Sequence, residues 1–245
     1  MKITNSESNT NIAEISDGIY RISTPVPPNP ALPGGFTFNQ FLIADDQPLL
    51  FHSGPRGLFP LVKEAIETVL PVSKLRYIGS SHFEADECGS INQFLAAAPE
   101  ASPLCSMVGK MVSMDDIAER PARGMADGET LSLGKHTLRW LDTPHLPHGW
   151  DSGYMFDEST STLLCGDLFT QPGHEHRPLI DGDILGPSEA MRAQMDYFAH
   201  SSHTEKLLAK LIETSPRTLA CMHGASFVGD GAGLLRELSA VLVRS

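Results

Sequence analysis

Apolar residues change their spacing repeatedly along the chain, and the changes predict a strand-rich start, a strand–helix–strand middle and a helical end. Residues 13–23 alternate as a half-buried strand does, around an Asp17–Gly18 pair suited to a tight turn. The proline-rich stretch 25–33 reads as an extended surface loop. Strands are expected at 37–44 and 48–52, about the polar turn 45–47. Leu58, Leu61, Val62, Ala65, Ile66, Val69 and Leu70 then recur at helical spacing until Pro71 stops them. Further on, 75–79 and 102–107 read as strands, 91–98 as a helix closed by Pro99, and 108–120 as helix or irregular structure. Residues 129–142 suit a hairpin turning at 133–135, and 154–156 with 162–165 suit two antiparallel strands.

The segment 171–186, rich in Gly, Pro and Asp, predicts a long loop, and long loops inside compact domains are often functional. Helices follow at 188–200 and 204–213, then a strand at 218–222 and a last helix from about 234 to 243. Gly229, Gly231 and Gly233 stand before that helix. A plain turn is preferred there to an anion cradle, because the pattern shows no preceding strand or charged partner.

With 245 residues and no hinge-like or low-complexity linker, a single domain spanning 1–245 is expected. No apolar run is long enough to cross a bilayer, and the opening MKITNSESNT lacks the apolar core of a secretory signal, so a soluble, cytoplasmic protein with no membrane partner is expected. A formal charge of −12 without clustered Lys and Arg argues against nucleic-acid binding. Cys88, Cys105, Cys165 and Cys221 form no CxxC pair and read as buried thiols.

Chemistry concentrates in the stretch from Ser80 to Gly89, between the strand at 75–79 and the helix at 91–98. There His82, Glu84 and Asp86 occur at every second position, and alternation in an extended loop would turn them to one side. An ordinary exposed loop carries the same residue types. Three more candidates follow apolar strands beside Gly or Pro: His148 in TPHLPHGWDS, Asp167 in LLCGD and His223 in ACMHG. Strand ends are rigid places from which to fix a metal centre.

Together these segments resemble the metallo-β-lactamase superfamily, whose pattern is a HxHxDH loop, a later His, an Asp after a strand and a final His. The match covers nearly the whole chain and implies an α/β fold, a four-layer αββα sandwich. Glu84 in place of the second histidine gives HxExD, which resembles the diiron core of flavodiiron proteins. Gly166–Asp167 is similar to their bridging aspartate, and His148-x-x-Asp151-Ser152 to their third-ligand segment. The length leaves no room for a flavodoxin module, so the chain looks closer to stand-alone oxygen-binding diiron proteins.

The resemblance assigns His82, Glu84 and His148 to a first metal, Asp86 and His223 to a second, and Asp167 as the bridge. Glu87 stands where the family has a histidine. Binding the second metal, supporting it from behind and pointing away all stay open for Glu87. His145 is the rival of His148 and otherwise a candidate hydrogen-bond support for the ligands. His52, where the superfamily often has an aspartate, is either an orienting or a structural residue, and Trp150 either shields the site or packs.

Three imidazoles and three carboxylates form a harder donor set than that of zinc hydrolases of this fold. Such a set suits iron, with manganese and zinc as alternatives. The implied function is a non-haem diiron protein that binds or reduces dioxygen, or a related diatomic such as NO, with an external electron donor if it turns over. The alternatives are an oxygen sensor or carrier without turnover, and a dinuclear metal hydrolase of an ester, lactone, thioester or phosphodiester. Flavodiiron-like cores often pair, so a homodimer is an expectation from the resemblance alone.

Overall fold

The strands bury both faces, and this is what stacks the molecule into layers. Along nearly every central strand, consecutive apolar residues enter different cores. Phe41 and Ile43 point between the sheets while Leu42 points out, and the same split separates Leu49 and Phe51 from Leu50. In the other half, Trp140, Met155 and Leu164 face inward, and Leu141, Tyr154, Phe156 and Leu163 face outward. Three cores lying between four layers follow from that alternation, with helices outside and two sheets inside.

The computed structural model describes residues 1–243. One sheet runs in chain order through β1 (Lys2–Asn5), β2 (Thr10–Ser16), β3 (Ile19–Val26), β4 (Phe36–Ile43), β5 (Leu49–Phe51), β6 (Tyr77–Gly79), β7 (Ser102–Ser106) and β8 (Arg123–Met125). It is antiparallel up to β5 and parallel from there on. The other sheet contains β9 (Thr130–Ser132), β10 (Thr137–Asp142), β11 (Gly153–Asp157), β12 (Thr162–Leu164), β13 (Leu179–Ile180), β14 (Thr218–Ala220) and β15 (Ser226–Val228). Its order is β13-β15-β14-β12-β11-β10-β9, with β12 and β14 parallel neighbours.

Helices Phe59–Ile66 and Ile91–Ala97 cover the first sheet through Val62, Ala65, Ile66, Ile91, Phe94 and Leu95. Helices Thr204–Glu213 and Gly231–Leu242 cover the second through Leu207, Leu208, Leu211, Leu235 and Leu238. Each carries its apolar residues three and four apart, so one stripe meets the sheet and the rest faces water. Among the described residues, no helix is long and apolar enough to cross a membrane.

The four-layer architecture agrees with the expectation, and the differences lie in short elements. β1 and β15 carry too few apolar residues for a period to show. β3 runs on through Pro25, which lies opposite Thr37. The register of β2 on β3 ends at Ser23, so Pro25 has no neighbour on that side to miss its absent N–H. The expected loop at 171–186 holds β13, which pairs with β15, and leads into helix Leu185–Met195. Residues 107–117 form short helical turns around a π-helical segment, Lys110–Met114. The last helix begins at Gly231, and the Asp230 carboxylate accepts a hydrogen bond from Gly233 N–H at 2.7 Å. Those glycines are therefore part of a capped helix start.

A Cβ on Gly153 would overlap the buried Trp140 indole. Gly153→Ala is expected to destabilise the fold by about 1–3 kcal/mol, the usual range for overpacking. Urea unfolding should show a lower midpoint at unchanged slope.

Candidate metal centre

The candidate side chains gather at one end of the sandwich because the strands that carry them finish there. His82 and Glu84 follow β6, His148 lies in the connection from β10 to β11, and Asp167 and His223 each stand three residues beyond β12 and β14. Since β12 and β14 are parallel neighbours in register, Leu164 beside Ala220, their following loops leave from the same edge. The two sheets are tied at this edge by Gly153 N–H donating to Ser81 O at 2.9 Å.

The ligating atoms of His82, Glu84, His148 and Asp167 all lie within 4.8 Å of one another. His82 Nε2 is 2.9 Å from Glu84 Oε2 and 3.0 Å from His148 Nε2. Glu84 Oε2 is 3.0 Å from His148 Nε2. Asp167 reaches both ways. Its Oδ2 lies 3.7 Å from His82 Nε2 and 3.5 Å from His148 Nε2, and its Oδ1 lies 3.3 Å from His223 Nε2. Asp86 Oδ2 is 3.4 Å from that same His223 nitrogen. Two donor groups therefore share one aspartate.

Each imidazole is turned so that Nε2 faces this focus. His148 Nδ1 donates to Tyr197 O at 3.0 Å, and His223 Nδ1 donates to Thr37 O at 2.7 Å. His82 Nδ1 faces Ser81 Oγ at 3.3 Å and Glu87 Oε1 at 3.1 Å. Protonated on Nδ1, a ring offers the Nε2 lone pair, which is the metal-binding tautomer.

The electrostatics point the same way. Burial opposes charge on His82, yet Glu87, Glu84 and Asp167 hold its imidazolium up at about 12. Burial likewise opposes charge on His223, and Asp167 and Asp86 raise it to about 10. His148 and His82 hold the Glu84 carboxyl well below its ordinary range. The carboxylates thus stabilise positive charge beside the three nitrogens, and a metal cation provides it as a proton does. Asp167 Oδ1, on a residue only 7% exposed, satisfies no hydrogen-bond geometry within the protein. Buried oxygens of this kind have partners, and the cluster of His82, Glu84, His148 and Asp167 fits a metal ion.

Asp86 reaches the site by a route that alternation does not predict. Residues 81–83 form bends, Glu84 alone is extended (φ −143°, ψ 155°), and Asp86 and Glu87 lie on a helical turn, Ala85–Cys88. That turn aims the two acids apart, Asp86 toward His223 and Glu87 behind His82. Glu87 lies behind His82, a residue assigned to the first metal, and not at the second site that its three alternatives concern; its Oε1 is 3.1 Å from His82 Nδ1. His52 is fully buried with its Nε2 3.6 Å from Glu87 Oε2, and burial pulls its pKa down.

Two expectations are corrected. His145 sits on the turn with φ +66° and an exposed side chain, and among the described residues it gives the cluster no hydrogen bond; its backbone N–H donates to Gly149 O at 2.8 Å. Trp150 is 60% exposed and is not part of the wall over the site. Both face out because the 143–152 connection is folded inward on Leu146, whose carbonyl accepts from Tyr154 Oη at 2.7 Å and from Ser152 Oγ at 2.9 Å. Asp151 joins this connection to the His82 loop, its Oδ2 accepting from Phe83 N–H at 2.9 Å.

The His223 loop is held from the opposite sheet by residues that sequence reading did not single out. Asn39 Nδ2 donates to Cys221 O and Gly224 O, both at 2.9 Å, and Arg21 Nη2 donates to Gly224 O at 2.8 Å. Gly224 N–H donates to Thr37 Oγ1 at 2.7 Å. Gly224 has φ +92°, and a Cβ there would meet Gln171 at 2.6 Å. Polar residues on the buried face of β3 and β4 were the available signal. Phe36 stacks on the His223 ring at 4.3 Å between centroids.

A cavity of about 150 Å³ opens over Glu84, Asp86, His148, Asp167 and His223, walled by Phe36, Met191, Met195, Tyr197 and Thr170. The approach to the polar floor is largely apolar.

The family model described as "ODP family beta lactamase" matches residues 36–224. The chain belongs to the ODP beta-lactamase family. Its architecture is the metallo-β-lactamase-like core of flavodiiron proteins. The rubredoxin-oxygen oxidoreductase of Megalodesulfovibrio gigas is 26% identical over 206 residues, which is 80% of this chain and 50% of that protein. The solved rubredoxin oxygen:oxidoreductase of Desulfovibrio gigas superposes with a TM-score of 0.81 at 22% identity, covering 96% of this chain and 62% of that one. The metal-soaked Flv1 flavodiiron core of Synechocystis sp. PCC6803 gives a TM-score of 0.79 at 18% identity, covering 96% of this ODP-family chain and 61% of that chain. The chain thus spans about half the length of the first of these relatives.

Asn39→Ala leaves the carbonyls of Cys221 and Gly224 short of a donor. A loss of about 1–3 kcal/mol is expected in urea unfolding. Hydrogen exchange should quicken at 221–225, and unchanged exchange there would show that Asn39 does not hold the His223 loop.

Proposed function

We propose that the chain is a non-haem diiron protein that binds or reduces dioxygen, or a related diatomic such as NO. His82, Glu84 and His148 would hold one iron, Asp86 and His223 the other, and Asp167 would bridge them. The observation that carries this reading is the two-way reach of Asp167, with His82 and His148 beyond one oxygen and His223 beyond the other. When bound, two irons supply electrons and open coordination positions for a small ligand.

The protein's own contribution is orientation and enclosure. Tyr197 O, Thr37 O and the Ser81–Glu87 pair fix the three imidazoles, so the donors need little rearrangement. The cavity of about 150 Å³ has room for a few small molecules, since a water takes roughly 30 Å³. Phe36, Met191 and Met195 limit water at its mouth and favour a neutral, weakly hydrated ligand. Four carboxylates counting Glu87 balance two divalent cations, which weakens the electrophilic pull that a hydrolase needs. Sustained reduction needs an external electron donor, and relatives include a protein named for its exchange with rubredoxin.

Protein purified without oxygen from cells given iron, manganese and zinc is expected to carry close to two irons per chain. It should then consume dioxygen or change its visible spectrum on exposure. Two zincs, or iron with neither response, would overturn the reading. His148→Ala is expected to lose about one metal per chain while His145→Ala keeps both; the reverse would mean that the wrong histidine has been assigned. Glu84→His should move the preference toward zinc in a competition between the two metals.

A further inference from the structure

The three imidazoles differ in what holds the far side of the ring. His148 and His223 donate to neutral backbone carbonyls. His82 alone faces a carboxylate. Its Nδ1 is 3.1 Å from Glu87 Oε1, and Ser81 Oγ, 3.3 Å from the same nitrogen, donates to that oxygen at 2.6 Å. Glu87 Oε2 accepts from the His82 backbone N–H at 2.8 Å and lies 3.6 Å from His52 Nε2. A carboxylate only 1% exposed is costly unless its oxygens are engaged. Here the hydroxyl, the backbone N–H and the His82 ring engage them, with His52 Nε2 nearby but beyond hydrogen-bond reach.

The location follows from the helical turn. Residues one apart on a helix point about 100° from each other. Asp86 and Glu87 therefore serve opposite sides of the site, one at its floor beside His223 and one behind His82.

We propose that Glu87 is a positioning residue that makes the two metal sites unequal. It fixes His82 with Nε2 toward Glu84 and His148, and it places a full negative charge one imidazole away from the first metal only. His82 becomes the strongest of the three nitrogen donors, so the ion in the His82–Glu84–His148 site is held more tightly and oxidised more readily than its neighbour. This inference rests on the dinuclear reading of the site.

The test uses the full chain with Glu87→Gln, which keeps the shape and the acceptor oxygen but removes the charge. Chelator competition with zinc alone should show one of the two sites weakened by roughly 10–100-fold, the usual effect of losing a ligand's supporting partner. The other site should be unchanged. In iron-loaded protein, the potential of the more easily oxidised iron should rise toward that of the other. Ser81→Ala, which keeps the carboxylate but removes its 2.6 Å donor, should shift the same site in the same direction by less. That variant carries the test if Glu87→Gln does not fold. Equal weakening of both sites, or no change at either, would overturn the proposal. Failure of the wild-type chain to carry iron would instead overturn the diiron reading, and the zinc titration would still decide the role of Glu87.

Discussion

Asp167 is the point on which the site depends. Its two oxygens face different histidines, and its position is set by the strand it follows: β12 lies parallel to β14, and His223 leaves β14 at the same edge. Gly166 precedes it with φ +48°, and a Cβ there would come within 2.8 Å of Ser81 Oγ and 2.9 Å of the Tyr154 ring. The aspartate can approach the His82 loop so closely because nothing protrudes behind it. Without that approach the donors would form two separate clusters.

Around this contact the protein concentrates negative charge and then controls it. Glu84, Asp86, Asp167 and Glu87 lie within a few residues of three inward-facing nitrogens, and repulsion among them is relieved by positive charge at their centre. The supporting contacts come from every layer. Thr37, Asn39 and Arg21 reach across from β3 and β4, Tyr197 O comes from beyond helix Leu185–Met195, and Glu87 from the helical turn after β6. Contacts from several elements hold the donors in place, as a fixed donor geometry requires. Phe36, Met191 and Met195 line the cavity beside these donors.

Membership of the ODP family and the flavodiiron-like fold agree with the donor set, but the relatives are longer than this chain and distant in sequence. The Glu87 carboxylate turns behind His82, away from Asp86 and His223.

The sequence by itself marked most strands and helices, and it carried the resemblance that implied both the four-layer architecture and the candidate donors. Two-residue alternation and three-to-four spacing are local consequences of strand and helix geometry, and Gly or Pro beside His148, Asp167 and His223 marks where strands stop. It did not determine the path of the His82 loop, because Ala85 turns the chain helical and breaks the alternation on which Asp86 was placed. It favoured His148 over His145 through the family-like spacing to Asp151 and Ser152 alone, and the fold on Leu146 is what leaves His145 exposed and sets His148 beside His82. The roles of Arg21, Asn39 and Glu87 were decided by the tertiary structure alone. Each acts on a residue brought close by sheet packing or by a helical turn, and the orientation of a side chain in such a contact is not encoded in local spacing.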